Sequence, residues 1–429
     1  MELRERGLID KQQQIGKSKK ATKPMATLQL PQQVPSPAQD SETLRKAFQG
    51  CITDEKAVIK VLGHRNAAQR KNIGDTYQEL YNQSLIDSLN SKLSGDFGRA
   101  VMLWTCKPLE RDARILHKVL NSKQIGMNEL AIIIEICVTS SPSHWRAIRD
   151  CYNSLFESNF HQDMSSDIVP RTFVLNLLRF IMPVRKSLPT VDLDSVNDDT
   201  TKLRRAIESK EIYELDFGSI FSWRSFLELK AIFESYHQKY GNPISEDIKD
   251  FGDEMLESLV KIMIRCIVSP EKYLAEVIRA ALSCPAGIDH DSLTRVIVRR
   301  AEIDLMKVRE AYLEMNETTL DKAVKCNTSG NYQDFLMVLL GHVGLTMQLT
   351  IILQKTRKHI QRAGLLLVYL YKRMLGDKHD VCARLNYGVN QHYIVKNLQE
   401  PSGNGCYLLH VEGFSDGLVR DFFSINNKL

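Results

Sequence analysis

The stretch Ile73-Gly-Asp-Thr-Tyr77 decides the fold, because its pattern of Ile or Val, any residue, Asp or Glu, any residue and Tyr recurs along the chain. The other three copies are Ile148-Arg-Asp-Cys-Tyr152, Ile232-Phe-Glu-Ser-Tyr236 and Val308-Arg-Glu-Ala-Tyr312. A second stretch, Leu44-Arg-Lys-Ala-Phe48, has counterparts that begin at Leu116, Leu203 and Ile278, each upstream of one copy. Because these two motifs each recur four times in the same order, they predict four repeats of one unit.

Apolar residues within each repeat recur every three or four positions, as Val58, Val61 and Leu62 do. This spacing predicts amphipathic helices, and strand-like alternation is scarce up to residue 341. Ser84 is in the right place to cap the helix that begins at Leu85. The sequence therefore predicts an all-α fold in which each repeat holds about five short helices.

The domain boundaries are predicted from the positions of the two recurring motifs. They give an N-terminal extension at 1–39, repeats at 40–113, 114–186, 201–273 and 274–341, a linker at 187–200 and a C-terminal extension at 342–429. Residues 183–199 are polar and acidic, which indicates a connection between two halves. Repeats one and two are expected to form one half, and repeats three and four the other.

Length and composition exclude several classes of protein. With 429 residues, 43% hydrophobic and 25% charged, the chain is too long for one small core and can fold into several. The nine cysteines form no C-x-x-C pair, which favours reduced thiols in an intracellular protein. Neither a secretory signal nor an apolar run long enough to span a membrane is visible. We therefore expect a cytoplasmic protein.

The net charge of +5 comes from the two ends of the chain. Residues 1–24 carry +4 and residues 342–429 carry +5, which leaves −4 on residues 25–341. Because the main body is mildly acidic, the sequence argues against a nucleic-acid partner.

Two repeats carry longer stretches that are typical of a known family. In repeat one these are Leu44–Glu55, Gly63-His-Arg-Asn66 and Leu93-Ser-Gly-Asp-Phe97, and in repeat four the stretch is Leu293–Asp304. The chain resembles the annexins, specifically plant-type annexins, over residues 40–341. The resemblance implies a curved disc that binds anionic phospholipid peripherally through calcium, in stress or trafficking settings, with cytoskeletal proteins as further partners.

The annexin resemblance also implies where calcium would bind, namely a Gly-x-Gly-Thr loop and an acid 39 residues after its threonine. In repeat one the loop reads Gly50-Cys-Ile-Thr53, and Lys92 stands in the place of the acid. In repeat four the loop reads Pro285-Ala-Gly-Ile288, and Asn327 stands in that place. Repeats two and three lack the motif.

These substitutions predict calcium sites that are weak or lost, since affinity depends on ligand charge. The candidate ligands are backbone carbonyls and a few side chains of the two loops: Phe48, Gly50, Ile52 and Glu55, with Asp54 as the other acid, and Gly287 with Asn327. An alternative hypothesis is a calcium-independent scaffold that binds lipid or proteins through Lys92 and the basic ends.

No motif for catalysis is present, because the chain has no phosphate-binding loop, G-x-S-x-G or H-E-x-x-H. We therefore expect a protein that is not an enzyme. His64 matches a histidine that has been proposed to serve haem or peroxidase chemistry in plant annexins, but a residue at a helix end favours a capping or surface role. Cys137 and Cys266 lie in apolar runs and are interpreted as buried thiols.

The tryptophans are interpreted as core residues, and one has a second interpretation. Trp104 and Trp145 fit the repeat cores. Trp223 is placed near the calcium-loop region of repeat three, where it would be a core residue or, alternatively, an aromatic anchor in the lipid headgroup layer.

Both ends of the chain depart from the annexin pattern. Residues 1–24 form a basic extension, and residues 342–429 follow the last repeat. Segments 345–353 and 365–369 are apolar with basic flanks, so they could form amphipathic helices that contact a membrane, or belong to a read-through without a selected fold.

Overall fold

A computed structural model describes residues 25–164, 191–210, 215–249 and 254–341 and three strands between 394 and 426. The chain divides into a helical unit that ends at His342 and a second unit from Val343. The basic extension 1–24 and the segments 345–353 and 365–369 lie outside the described residues.

The helical unit consists of four successive groups of helices, one for each predicted repeat. Repeat one holds α1 (Pro37–Gln49), α2 (Glu55–Leu62), α3 (Ala67–Tyr81), α4 (Leu85–Lys92) and α5 (Gly95–Thr105). Repeat two holds α6 (Pro108–Leu120), α7 (Met127–Val138), α8 (Pro142–Phe156) and α9 (Phe160–Met164). Repeat three holds α10 (Leu193–Glu208), α11 (Leu215–Trp223), α12 (Phe226–Tyr240), α13 (Ile244–Asp247) and α14 (Glu254–Val268). Repeat four holds α15 (Pro270–Leu282), α16 (His290–Arg300), α17 (Leu305–Asn316), α18 (Leu320–Asn327) and α19 (Gly330–Leu339).

The recurring Ile-x-Asp-x-Tyr pattern lies in the third helix of each repeat. There it packs against the first helix of the same repeat, as α3 does on α1 and α17 does on α15. The four tyrosines are buried, with exposed fractions of 0–4%: Tyr77, Tyr152, Tyr236 and Tyr312. Since Ile and Tyr four residues apart share one face of a helix, the pattern marks the core-facing stripe. The predicted all-α repeats are confirmed for the helical unit.

Short polar residues set the helix starts. Ser36 and Asn66 each accept a hydrogen bond from the backbone N–H three residues later, and the side-chain oxygens of Gln39 and Gln69 accept one from the backbone N–H of the cap residue. Ser84 caps α4 as predicted, through the N–H of Asp87. These caps satisfy N–H groups that a helix otherwise leaves unbonded, so they define the short helices between the loops.

The predicted repeat boundaries fall inside helices. Residue 114 lies within α6, residue 274 within α15, and residues 193–200 of the predicted linker form the first two turns of α10. The second recurring motif sits in the middle of the first helix of a repeat, so boundaries drawn from it are too late. The buried face of α10 includes the polar residues Asp199 and Thr200. Because these positions are not apolar, the spacing of apolar residues does not indicate a helix there.

The pairing of repeats differs from the predicted halves. Helices α2 and α5 of repeat one pack on α19 and α16 of repeat four, whereas α7 of repeat two packs on α14 of repeat three. The expectation that repeats one and two form one half is therefore wrong, because these helix contacts join repeat one to repeat four and repeat two to repeat three.

The segment before α1 is bound to repeat four. The N–H of Thr27 donates to the carbonyl of Ala301 at 2.9 Å, and its hydroxyl donates to the carbonyl of Leu339 at 2.6 Å. The N–H of Met306 donates to the carbonyl of Met25 at 3.0 Å. The first and last described residues of the helical unit therefore lie side by side.

The second unit contains an antiparallel sheet, which the helical patterns of the repeats do not predict. Its strands are β1 (Ile394–Gln399), β2 (Cys406–Glu412) and β3 (Phe422–Asn426), in the order β1-β2-β3. Ile394 is opposite Glu412, and Cys406 is opposite Asn426. The all-α expectation holds for the repeats, and these strands lie in the C-terminal extension that follows them.

Candidate functional site

The loop between α1 and α2 contains the predicted ligands of repeat one. The N–H of Asp54 donates to the carbonyl of Ala47 at 3.0 Å, and the Asp54 carboxylate accepts from the N–H of Ala57 at 3.0 Å. These two bonds close the loop and start α2. A Cβ on Gly50 would lie 2.9 Å from the carbonyl oxygen of Ile52, so the turn requires glycine at this position.

The 39-residue spacing corresponds to a direct contact. The hydroxyl of Thr53 donates to the backbone carbonyl of Lys92 at 3.1 Å, which holds the end of α4 against the loop. Lys92 is exposed there. The structure thus places the backbone of an exposed lysine against the loop, at the position where the family pattern has an acid.

The other predicted ligands of repeat one differ in their surroundings. Phe48 is buried with an exposed fraction of 4%, while the side chain of Ile52 is 87% exposed. The Glu55 carboxylate accepts a hydrogen bond of 2.5 Å from the side-chain amide of Asn331 in repeat four. Glu55 therefore joins two repeats, and the loop's other acid, Asp54, is engaged as a helix cap.

The loop between α15 and α16 repeats this design with small changes. The N–H of Asp289 donates to the carbonyl of Ala281 at 3.0 Å, and its carboxylate caps α16 through the N–H of Ser292. Gly287 has a φ of 107°, a conformation that favours glycine. The repeat-four loop is therefore as well defined by its backbone as the repeat-one loop.

Asn327 ends α18 and uses only part of its hydrogen-bonding capacity. Its side-chain N–H donates to the carbonyl of Ala323 at 2.8 Å. Among the described residues its side-chain oxygen accepts no hydrogen bond. That oxygen is therefore available as a neutral side-chain ligand at the position that corresponds to Lys92.

The loop of repeat two, between α6 and α7, contains no acidic residue. In repeat two Ile125 is buried and Gly126 precedes α7. In repeat three, residues 211–214 lie outside the described part of the chain. Within the described ranges no group of three or more His, Cys, Asp and Glu side chains could hold a metal ion.

Trp223 does not lie near the calcium-loop region of repeat three, where the sequence places it. It is the last residue of α11, whereas the loop precedes the first residue, so about 12 Å of helix separates them. Its side chain is 71% exposed, so the core interpretation is wrong. Trp104 and Trp145 are buried, with exposed fractions of 0% and 4%, which confirms that interpretation.

The remaining single residues behave as structural groups. His64 lies two residues beyond the end of α2 and is half-buried, and its N–H donates to the carbonyl of Val61. Cys137 and Cys266 are buried as predicted. Burial raises the pKa of Cys266 well above its usual value, which disfavours the reactive thiolate.

A cluster of buried charges was not predicted from the sequence. It joins α6 and α7 of repeat two to α16 of repeat four and has five members with exposed fractions of 0–5%: Arg111, Asp112, Glu135, Arg295 and Arg299. Arg295 and Arg299 both donate to the Glu135 carboxylate, and Arg111 and Arg299 both donate to Asp112. The only signal in the sequence is the series of arginines and acids within otherwise apolar helices.

Comparison with known proteins gives the family. Annexin D3 of Arabidopsis thaliana is 43% identical over 320 residues, covering 74% of this chain and 99% of the relative. The chain belongs to the annexin family. Annexin Gh1 of Gossypium hirsutum is 35% identical over 319 residues, covering 74% of this chain and 99% of the relative. The solved structure of annexin III matches with a TM-score of 0.67 at 29% identity, over 74% of this chain and 97% of that one.

The annexin family model matches residues 39–104, 198–262 and 273–339 of this annexin. It leaves out repeat two, whose first four helices the structure nevertheless describes. Family and fold support calcium-dependent binding to phospholipid membranes in general, and annexins in general are non-enzymatic. Within the described residues, no helix is long and apolar enough to cross a bilayer.

Proposed function

We propose that this annexin binds anionic membranes peripherally, through loops of repeats one and four whose affinity for calcium is reduced. One observation carries the proposal: the hydrogen bond from Thr53 to Lys92 puts an ammonium-bearing residue beside the repeat-one loop. Calcium prefers several oxygen ligands of high charge, and a neighbouring cation opposes its binding.

In repeat one, the proposed ligands are the backbone carbonyl oxygens of Phe48, Gly50 and Ile52, and the carboxylate of Asp54 or Glu55 contributes weakly. In repeat four, they are the carbonyl oxygen of Gly287 and the side chain of Asn327. A main body of net −4 is repelled by an anionic bilayer, so a bound cation would be needed for adhesion by the helical unit alone. In this proposal the cation bridges the loops and the lipid phosphates.

Substituting Lys92 tests the proposal. We expect Lys92→Glu to lower the calcium concentration that half-saturates binding to phosphatidylserine vesicles by roughly tenfold, because it exchanges a repelling charge for a ligand. Cosedimentation of the full chain across a calcium titration measures this shift. Lys60→Glu is the matched control, since Lys60 is also exposed but lies on α2 near the end opposite the loop.

A calcium-independent scaffold is the second candidate, because the same exposed Lys92 can contact anionic lipid directly. It requires that the wild-type chain sediment with vesicles in chelator and dissociate as salt is raised, since salt screens exposed charges. In that case Lys92→Glu would weaken binding in chelator, whereas the calcium-dependent proposal expects no binding in chelator at all. An equal response of Lys60→Glu and Lys92→Glu would contradict a specific role for Lys92.

A further inference from the structure

A cavity of about 380 Å³ opens where several helices of repeats one, two and four meet. It is lined by the starts of α3 and α6, at Ala67 and Pro108, by residues 139–141 between α7 and α8, and by the last residues of α16. Arg111, Arg299 and Asp112 of the buried charge cluster form part of its wall. The cavity therefore gives access to charges that are otherwise sealed in the protein.

The cluster behind this wall carries an excess of positive charge. Three arginines, Arg111, Arg295 and Arg299, face the two carboxylates Asp112 and Glu135, which leaves +1. Burial alone would raise the pKa of Asp112, but Arg299 and Arg111 hold it well below its usual range, so Asp112 is ionised in this sum. Asp289 also acts on Arg295, whereas Arg111 and Arg299 share the single carboxylate of Asp112 at the cavity wall, so an anion bound there would add negative charge beside these two arginines.

The neighbouring charges do not supply that anion. Glu302 accepts hydrogen bonds from Arg70 at 2.8 Å and from the N–H of Ala67 at 2.6 Å. Asp304 is held by two hydrogen bonds from Arg300. His144 lies 3.7 Å from Asp112 and would add positive charge if it were protonated. Glu302, which lines the cavity, and Asp304 beside it are thus already paired with other arginines and do not hydrogen-bond to Arg111 or Arg299.

Two guanidinium groups also keep donors unused. Arg111 donates through Nε to Asp112 and through Nη1 to the carbonyl of Val298, and Arg299 donates through Nε to Asp112 and through Nη1 to Glu135. In both side chains Nη2 has no hydrogen-bond partner among the described residues, and neither atom is sealed from solvent. Arginine forks of this kind match the oxygens of phosphate and similar anions.

We propose that this cavity binds a small oxyanion of the phosphate class, which Arg111 and Arg299 hold through their unused Nη2 donors. The site is distinct from the calcium loops, because Arg299 lies near the end of α16 while the α15–α16 loop precedes its start. About 14 Å of helix separates the two positions. The inference therefore does not rest on the proposed membrane function.

Calorimetric titration of the full chain with inorganic phosphate tests the site. We expect saturable binding of one phosphate per chain that sodium chloride of equal ionic strength does not reproduce. Ile303 lines the cavity and is 53% exposed, so Ile303→Glu adds a repelling charge at the mouth without disturbing the core. It should weaken phosphate binding roughly tenfold or more. Leu227→Glu, at a position 55% exposed and outside the cavity lining, should have no effect.

A second pair of variants examines the arginine fork itself. Arg111→Lys keeps the charge but loses the fork, so it should also weaken phosphate binding. Arg65→Lys is the control, because Arg65 is equally buried with an exposed fraction of 4% and also pairs with an aspartate. Thermal unfolding of all four variants verifies the fold. Non-saturable heats, or equal weakening by the cavity variants and their controls, would overturn the site.

The same oxyanion chemistry could come from a free anion or from a lipid phosphate, and vesicle binding distinguishes the two. Phosphate that fills the cavity as a free ligand should leave cosedimentation with phosphatidylserine vesicles unchanged at constant ionic strength. Loss of sedimentation that Ile303→Glu reproduces would instead assign the cavity to headgroup phosphate.

Discussion

Asn327 and Lys92 occupy equivalent positions in two repeats and change calcium chemistry in different ways. Lys92 introduces a charge of the wrong sign beside its loop, whereas Asn327 only removes a charge and keeps an oxygen. Because Asn327 uses its N–H group to bind Ala323, the amide orientation leaves the oxygen available. The side chain at this position of repeat four therefore differs from a carboxylate only in carrying an NH2 group in place of the second oxygen.

Asn327→Asp should restore part of that chemistry. We expect roughly tenfold tighter calcium binding at repeat four, since calcium affinity rises with ligand charge, and titration calorimetry of the full chain measures it. Asn316→Asp is the matched control, because Asn316 also ends its helix and donates to the carbonyl four residues earlier. If both variants bind calcium equally, the gain reflects net charge and not the loop.

Among the helices, one ion pair is repeated. Asp40 of α1 binds Arg65 after α2 through two hydrogen bonds of 2.7 and 2.8 Å, and Asp199 of α10 binds Arg224 after α11 at 2.5 Å. Each pair fastens the first helix of its repeat to the end of the second. Arg65 is 4% exposed, but the side chain of Arg224 is 32% exposed.

This difference predicts unequal costs for equal substitutions. Arg65→Leu should lower the free energy of unfolding by about 3–5 kcal/mol, because Asp40 is left buried and unpaired. Arg224→Leu should cost less than Arg65→Leu, because water already reaches the Arg224 guanidinium, although it also leaves a buried aspartate, Asp199, without its arginine. Urea denaturation of the full chain compares the two variants. Equal losses would contradict the dependence on burial.

The sequence predicts the helices whose apolar residues follow the helical period. It does not predict the features that depend on contacts between distant parts of the chain. Tyr77 and its three counterparts are buried as the pattern predicts, and the Thr53–Lys92 contact follows from the family spacing. Trp223 is exposed because it ends its helix, which composition does not reveal. Arg299 and Glu135 lie in different repeats, so their pairing depends on the contact between α7 and α16, which a local pattern does not record.

Across the whole molecule, the buried charge cluster links repeats two and four and should make stability sensitive to acid. Asp112 has an ordinary pKa near 4 when the chain is unfolded and a lower pKa when it is folded. The unfolded state therefore binds the proton first, and the stability that Asp112 contributes is present above about pH 4 and is lost as pH falls.

Asp112→Asn tests this linkage. Below about pH 4 the wild-type free energy of unfolding should fall up to about 1.4 kcal/mol per pH unit more steeply than that of the variant, because one protonation is removed. Urea titrations between about pH 5 and 2.5 give the two slopes. Asp75→Asn, at an exposed position, should keep the wild-type slope. Parallel curves for Asp112→Asn and wild type would exclude the effect.

The hydrogen bonds of Thr27 to repeat four have a topological consequence. The beginning of the helical unit touches Ala301 and Leu339, so its two ends meet and the repeats form a ring that lacks only one covalent link. A short peptide between residues near Thr27 and Gly341, combined with a cut in another surface connection, would give a circular permutant with the same core contacts. The order of the repeats along the chain could then change while the contacts between packed repeats stay the same.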